Sequence, residues 1–271
     1  MHRQISWIGL AVAALLLSAG AAGAQDASLV SVQSARGAKQ AFILIKPPKP
    51  VGAVILFAGG HGNLGLKSAT SMAWGAQNFL VRTRDQFAAH NFIVAVVDAP
   101  SDHKSPRGMN AVFRMSKEHV SDIQAVVEYL KKQSNVPVWL VGTSMGTFSA
   151  AGGGIALRDL GGVVLTSTIT RSNPNWNIAG SHPNGVASMR LSAISVPTLI
   201  LSHRKDGCDI TPASDAPKLT KALSKSRKVD VVLLDGGSAP ISAPCEARAQ
   251  HGFLGIERQA VDRIAQFIKA N

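Results

Sequence analysis

The chain has 271 residues, 46% of them hydrophobic, enough for one large α/β domain or two small ones around a sizeable core, and this excludes intrinsic disorder. Its formal charge is +12, yet the basic residues are scattered, with small clusters at Lys131 and Lys132 and between Lys218 and Lys228, and no aromatics interleave them. A nucleic-acid-binding face is therefore not expected; a soluble basic surface is, which leaves weak association with anionic envelope surfaces open.

At the N-terminus, Arg3 precedes an apolar run over residues 5–17 and a small-residue stretch over 18–24. That is the three-part layout of a secretory signal peptide, with the cut after Ala24. The run falls short of the ~20 apolar residues that span a bilayer, so a retained anchor is the weaker reading. Later apolar runs are brief and broken by Gly, Pro or charge, so no integral membrane segment is expected after cleavage. With no internal repeat or linker, residues 25–271 are expected to form a single domain, exported to the periplasm or secreted.

Residues 29–34 and 40–46 read as two strands joined around Arg36-Gly37, a hairpin. The apolar run 51–57 reads as a strand buried on both faces and leads into Ala58-Gly59-Gly60-His61-Gly62, where glycines let the backbone approach a ligand closely. Gly60-His61-Gly62-Asn63-Leu64-Gly65 also satisfies G-x-G-x-x-G. A dinucleotide site would need a second strand ending in an acid about 20 residues on. The next strand, 92–97, ends at Asp98, well beyond that, and Leu66 breaks the adjacency a phosphate loop requires, so no cofactor is expected. Helices are expected over 76–90 and 116–133, the second because Val120, Ile123, Val127 and Leu130 recur at helical spacing.

Strand 136–141 runs directly into Gly142-Thr143-Ser144-Met145-Gly146, and an Ala- and Gly-rich helix over 145–158 follows. A G-x-S-x-G match alone is common; between a strand and a helix it describes a sharp turn that lifts a serine hydroxyl above the sheet. The helix N-terminus then faces a developing oxyanion. After strand 163–167, residues 169–191 lack a period and contain Asn173-Pro174-Asn175 and His182-Pro183-Asn184-Gly185. They read as a loop able to act as a small lid, with Trp176 and Met189 as candidates to line the pocket beneath.

A serine hydroxyl needs a base and a carboxylate to orient it, expected in the chain order Ser, Asp, His. Strand 197–201 leads into Ser202-His203-Arg204-Lys205-Asp206-Gly207-Cys208-Asp209. Asp206, in the first tight turn after the strand, is favoured as the acid over Asp209. Asp235, after strand 229–234, is a third candidate whose plainer use is capping the Gly236-Gly237 turn. A helix over 211–224 intervenes. His251, in the loop between the last strand and the last helix, 257–270, fits the base, whereas His203 precedes the carboxylate. Backbone N–H groups of Gly60 or His61, with that of Met145, would form an oxyanion hole; the His61 side chain is left between holding substrate and holding its own loop. Cys208 and Cys245 are the only cysteines, and export makes a disulfide their default, tying the acid loop to the base loop. No H-E-x-x-H or cysteine-histidine cluster occurs, so no metal is expected.

On Gly142-Thr143-Ser144-Met145-Gly146, Gly59-Gly60-His61-Gly62, His203-Arg204-Lys205-Asp206 and His251-Gly252-Phe253, the chain resembles the α/β-hydrolase superfamily across roughly residues 28–270. The resemblance implies a mostly parallel eight-stranded sheet flanked by helices, a Ser144, Asp206 and His251 triad, and hydrolysis through an acyl-enzyme. Exported bacterial esterases and dienelactone-hydrolase-like enzymes are similar. The departures are the lack of a large cap domain and a glycine-rich rather than His-Gly oxyanion turn. The resulting expectation is a serine hydrolase acting on a small-molecule carboxylic ester, less readily an amide, without a cofactor. Its alternative is a catalytically silent binding protein on the same scaffold, since fold does not fix function.

Overall fold

The structure is a computed structural model and describes residues 26–271; the leader expected over residues 1–24 lies outside the described residues. Strands β1 (Ala27–Gln33) and β2 (Lys39–Ile45) pair antiparallel, Leu29 opposite Ile43. Their turn contains Gly37 at φ 87°, a left-handed conformation that costs a residue without Cβ nothing.

Strands β3 (Gly52–Phe57), β4 (Phe92–Val97), β5 (Val138–Thr143), β6 (Gly162–Thr166) and β7 (Thr198–His203) are buried at every position. With both faces covered, such strands read as unbroken apolar runs rather than alternating ones. Strand β8 (Val229–Leu234) closes the sheet as a partly exposed edge. The order is β1-β2-β4-β3-β5-β6-β7-β8; β1 and β2 run antiparallel to their neighbours and β4 to β8 form one parallel set with β3. The order reverses about β3, so its carboxyl end and that of β5 flank a topological switch point, where open α/β sheets leave a crevice for a ligand.

Helices α1 (Phe79–Arg82) and α2 (Arg84–Ala89) pack on one face, and α3 (Ala111–Arg114), α4 (Lys117–Gln133), α5 (Gly146–Ala156) and α6 (Ala216–Ala222) on the other. Helix α7 (Glu257–Lys269) returns to the first face. Alternation along β3 divides the core: Ala53, Ile55 and Phe57 meet Ile123, Val126 and Phe148 on one side, while Val54 and Leu56 join Phe87, Val261 and Ile264 on the other. Helix α5 is made of small residues because it is pressed against the sheet: a Cβ on Gly153 would stand 2.6 Å from Leu140 and one on Gly154 2.7 Å from Val163.

Several helices depart from the expected bounds. The helix expected over 76–90 is two short ones broken at Thr83, whose buried hydroxyl donates to the Phe79 carbonyl at 2.7 Å and competes with the helical ladder. In place of 211–224, a 3-10 turn at Ala213–Asp215 precedes α6, because Pro217 lacks an N–H and is tolerated only in a first turn. Helix α3 had no sequence expectation; Asn110 caps it by accepting the Phe113 N–H at 2.9 Å. The loop 169–191 is not a free lid: Ile169, Ile178, Val186 and Leu191 bury it against the core.

Candidate active site

Ser144 sits between β5 and α5 at φ 52°, a left-handed conformation that a side chain enters at a cost on the order of 1–3 kcal/mol. Its N–H donates to Thr166 at 3.0 Å, and its carbonyl accepts both the N–H and the hydroxyl of Thr147. The flanking glycines allow the turn to fit. A Cβ on Gly142 would meet the Gly146 carbonyl at 2.3 Å, and one on Gly146 would meet the Phe57 carbonyl of β3 at 2.1 Å. The serine is thereby held against the carboxyl end of the neighbouring strand.

The turn after β7 carries Asp206, whose carboxylate is fully buried. His251 lies in a 3-10 turn before α7, and its Nδ1 meets Asp206 Oδ2 at 3.0 Å. That contact makes Nδ1 the protonated nitrogen and leaves Nε2 as the base lone pair. The Thr211 hydroxyl donates to the same Oδ2 at 3.0 Å and lies 3.1 Å from Nδ1. The backbone N–H of Cys208 occupies Asp206 Oδ1 at 3.0 Å. From behind, Ser167 donates to the His251 carbonyl at 2.7 Å and Arg82 to that of Gly252 at 2.5 Å. Ser144 and His251 line one cleft of about 560 Å³, and no hydrogen bond joins them; such contacts are often long until substrate binds.

The loop after β3 forms the opposite wall. Gly59 abuts the serine so closely that a Cβ there would stand 3.0 Å from Ser144 Cβ. Among the described residues, no turn or loop hydrogen bond takes up the backbone N–H of Gly59, Gly60, His61 or Met145. Two buried charges set the loop. Asp98 accepts the N–H groups of Leu64, Gly65 and Leu66, so the acid after β4 serves the glycine-rich turn internally instead of a nucleotide ribose. Arg114, wholly buried, donates through Nη2 to the carbonyls of Ala58 at 3.3 Å and Gly60 at 3.1 Å, and through Nη1 to Ser149 at 2.9 Å. Across a trans peptide the C=O and the next N–H point opposite ways, so the Gly59 and His61 N–H groups face away from the guanidinium. Burial pushes the Arg114 pKa down to about 9, which keeps it a cation at neutral pH.

His61 accepts the Asn63 N–H at Nδ1 and packs its ring 3.9 Å from Trp74. Burial, then the charge of Arg114, lowers its pKa, with Asp98 opposing. Its side chain thus braces the loop. His203 Nε2 donates to the Gly236 carbonyl at 3.0 Å while Nδ1 accepts from Lys205, so it ties two turns together away from Ser144. Asp235 pairs with Arg204 at 2.8 Å on the surface, and Asp209 is exposed. Cys208 and Cys245 form a disulfide that joins the Asp206 turn to the cleft wall at Glu246 and Ala247. Trp176 lines a separate 220 Å³ recess beside Met145 rather than the main cleft, and Met189 packs on the core. Thr211 and Arg114 carry no local sequence signal; each matters through contacts with residues distant in the chain. Among the described residues, no group of three or more His, Cys, Asp or Glu could hold a metal, and no helix is long and apolar enough to cross a membrane.

The model of the serine aminopeptidase, S33, family matches residues 48–231. No curated protein matches the chain in sequence. Among solved structures, the esterase Pf2001 of Pyrococcus furiosus superposes with a TM-score of 0.63 at 15% identity, covering 91% of this chain and 93% of that one. The α/β hydrolase GrgF of Penicillium sp. sh18 does so at 0.62 and 14%, covering 90% and 98%. A cold-adapted esterase from an Arctic intertidal metagenomic library gives 0.59 and 14%, with 97% and 99% covered. At these identities the likeness is one of fold.

Proposed function

The chain belongs to the serine aminopeptidase, S33, family and is a hydrolase of α/β fold, and from that premise we propose that it cleaves a carboxylic ester, less readily an amide, through an acyl-enzyme on Ser144. The observation that carries this reading is the buried Asp206–His251 pair opening onto the cleft that holds Ser144 on its strained turn. In the first half-reaction Ser144 Oγ attacks the ester carbonyl and its proton passes to His251 Nε2. Asp206 holds the Nδ1 proton and offsets the imidazolium charge. Backbone N–H groups of Gly60 or His61 and of Met145 receive the oxyanion. The tetrahedral adduct expels the alkoxide, which takes the proton from Nε2; water then repeats the sequence on the acyl-enzyme and restores Ser144. Two solved structures of like fold are described as esterases, which supports the ester reading.

The same proposal includes export: residues 1–24 are removed as a signal peptide and residues 25–271 act in the periplasm or outside the cell, a reading supported by the Cys208–Cys245 bridge. A second reading, a silent binding protein on this scaffold, has one observation on its side, the missing hydrogen bond between Ser144 and His251.

A fluorophosphonate probe and 4-nitrophenyl acetate separate the two. The wild type is expected to be labelled on Ser144 and to hydrolyse the ester, and Ser144→Ala to lose labelling and on the order of 10⁴-fold or more in kcat. A folded wild type that neither labels nor turns over would establish the binder instead.

A further inference from the structure

Asn78 occupies the N-cap position of α1, where an asparagine side chain ordinarily accepts a backbone N–H of the first turn. Here it does not: the helix is joined to Asn78 only through its backbone carbonyl, which accepts from Val81 and Arg82. The side chain instead lines the cleft that holds Ser144. Its Nδ2 and the Ser144 Cβ both flank Gly59, since a Cβ on that glycine would lie 3.3 Å from the first and 3.0 Å from the second. Oδ1 is buried with no partner, an arrangement that costs about 1–3 kcal/mol. Turning the amide over would bury two unpaired N–H donors in place of one unpaired acceptor, so the orientation with the donors toward the cleft is the better one. An amide that forgoes its cap, leaves a buried oxygen unsatisfied and keeps its free donors beside Gly59, in the cleft that holds the nucleophile, is organised for something absent from the folded chain alone.

We propose that Asn78 is a catalytic residue of this hydrolase: Nδ2–H donates to the carbonyl oxygen of the bound ester as that oxygen becomes the tetrahedral oxyanion, a side-chain donor beside the backbone N–H groups of the glycine-rich loop and Met145. The inference rests on the reading of Ser144 as nucleophile. No proton is transferred; the amide strengthens a hydrogen bond as negative charge builds on the oxygen, and a preorganised donor of this kind is worth on the order of 10²–10³ in kcat. The resulting dependence is on the transition state more than on ground-state binding, so the loss falls on kcat and not on KM.

The test compares wild type, Asn78→Ala and Asn78→Asp with 4-nitrophenyl acetate, reading kcat, KM and Tm. Asn78→Ala is expected to lose about 10²-fold in kcat with KM within about threefold and a Tm no lower than wild type, because no cap bond is lost and a buried unpaired oxygen is removed. Asn78→Asp keeps the shape, presents a carboxylate to the oxyanion, and is expected to lose at least as much. Either variant retaining wild-type kcat, or showing its whole loss in KM, overturns the assignment. If the alanine variant does not fold, the isosteric aspartate variant decides. Ser144→Ala is measured alongside: active wild type with inactive Ser144→Ala and fully active Asn78 variants removes Asn78 alone, whereas a wild type without activity removes the nucleophile and this inference with it.

Discussion

Behind the cleft, Arg114 reaches only neutral partners: carbonyls of Ala58, Gly60 and Met109 and the Ser149 hydroxyl. A buried cation so placed is costly for stability and useful to a reaction that builds negative charge in front of it. It also governs its neighbour His119, whose Nε2 meets Ser149 Oγ at 2.9 Å while Nδ1 is buried without a partner. Burial first, then the charges of Arg114, His103 and Arg36, hold the His119 pKa well below its ordinary range. In the unfolded chain a histidine titrates near 6.5. Below that pH the unfolded state therefore binds a proton that the folded state refuses. Stability is full above about pH 6.5 and falls as pH drops, by up to about 1.4 kcal/mol per pH unit. His119→Phe, which keeps an aromatic ring beside Phe57 and Phe113, is expected to flatten this dependence. Denaturant unfolding between pH 5 and 7 reads it, and identical slopes for variant and wild type would refute the assignment.

Two loops of different origin, the turn after β7 and the approach to α7, must meet for Asp206 to face His251, and the disulfide crosses between them, joining cysteines 37 positions apart in sequence. On the chain-entropy model that closure is worth about 4 kcal/mol, equivalent to roughly 10 °C in Tm for a chain of this size. Cys208→Ser with Cys245→Ser is expected to lose that much and to lower kcat, because the Cys208 N–H that fixes Asp206 Oδ1 moves with the freed turn. Exported wild-type protein should begin at Gln25 and carry the bridge in its non-reducing mass. A Tm within about 2 °C of wild type would deny the bridge its structural role, and an exported chain retaining residues 1–24 would end the leader reading. Element types follow from the sequence where burial is total, as in β4, whose bounds equal the apolar run at 92–97. They fail where one side chain decides, as at Thr83 and Pro217. Ser144, Asp206 and His251 stand out in the sequence because glycines or strand ends mark them locally. Asn78, Arg114 and Thr211 do not: Arg114 meets Gly60 across 54 residues and Thr211 meets His251 across 40, and only the sheet order brings them together.

At the scale of the whole molecule, the +12 balance and the cleft disagree in sign. The walls of the cleft include no lysine or arginine and one carboxylate, Glu246, at its rim. A surface field of this sign draws anions toward the protein, but over distances that salt shortens to about 8 Å at physiological strength. Holding an anionic acyl or alcohol group at Ser144 would need a cation in contact with it, and the nearest buried one, Arg114, is spent on the loop behind. A neutral ester such as 4-nitrophenyl acetate should therefore show a kcat/KM nearly independent of ionic strength between about 0.01 and 0.5 M. An anionic counterpart, 4-nitrophenyl hemisuccinate, should gain at low salt through faster encounter and lose that gain as salt rises, ending no better than the neutral ester. Initial rates across a salt series read both. An anionic ester that keeps a clear advantage in KM at the highest salt would mean that a basic side chain enters the cleft with substrate, and that the substrate class is acidic rather than neutral.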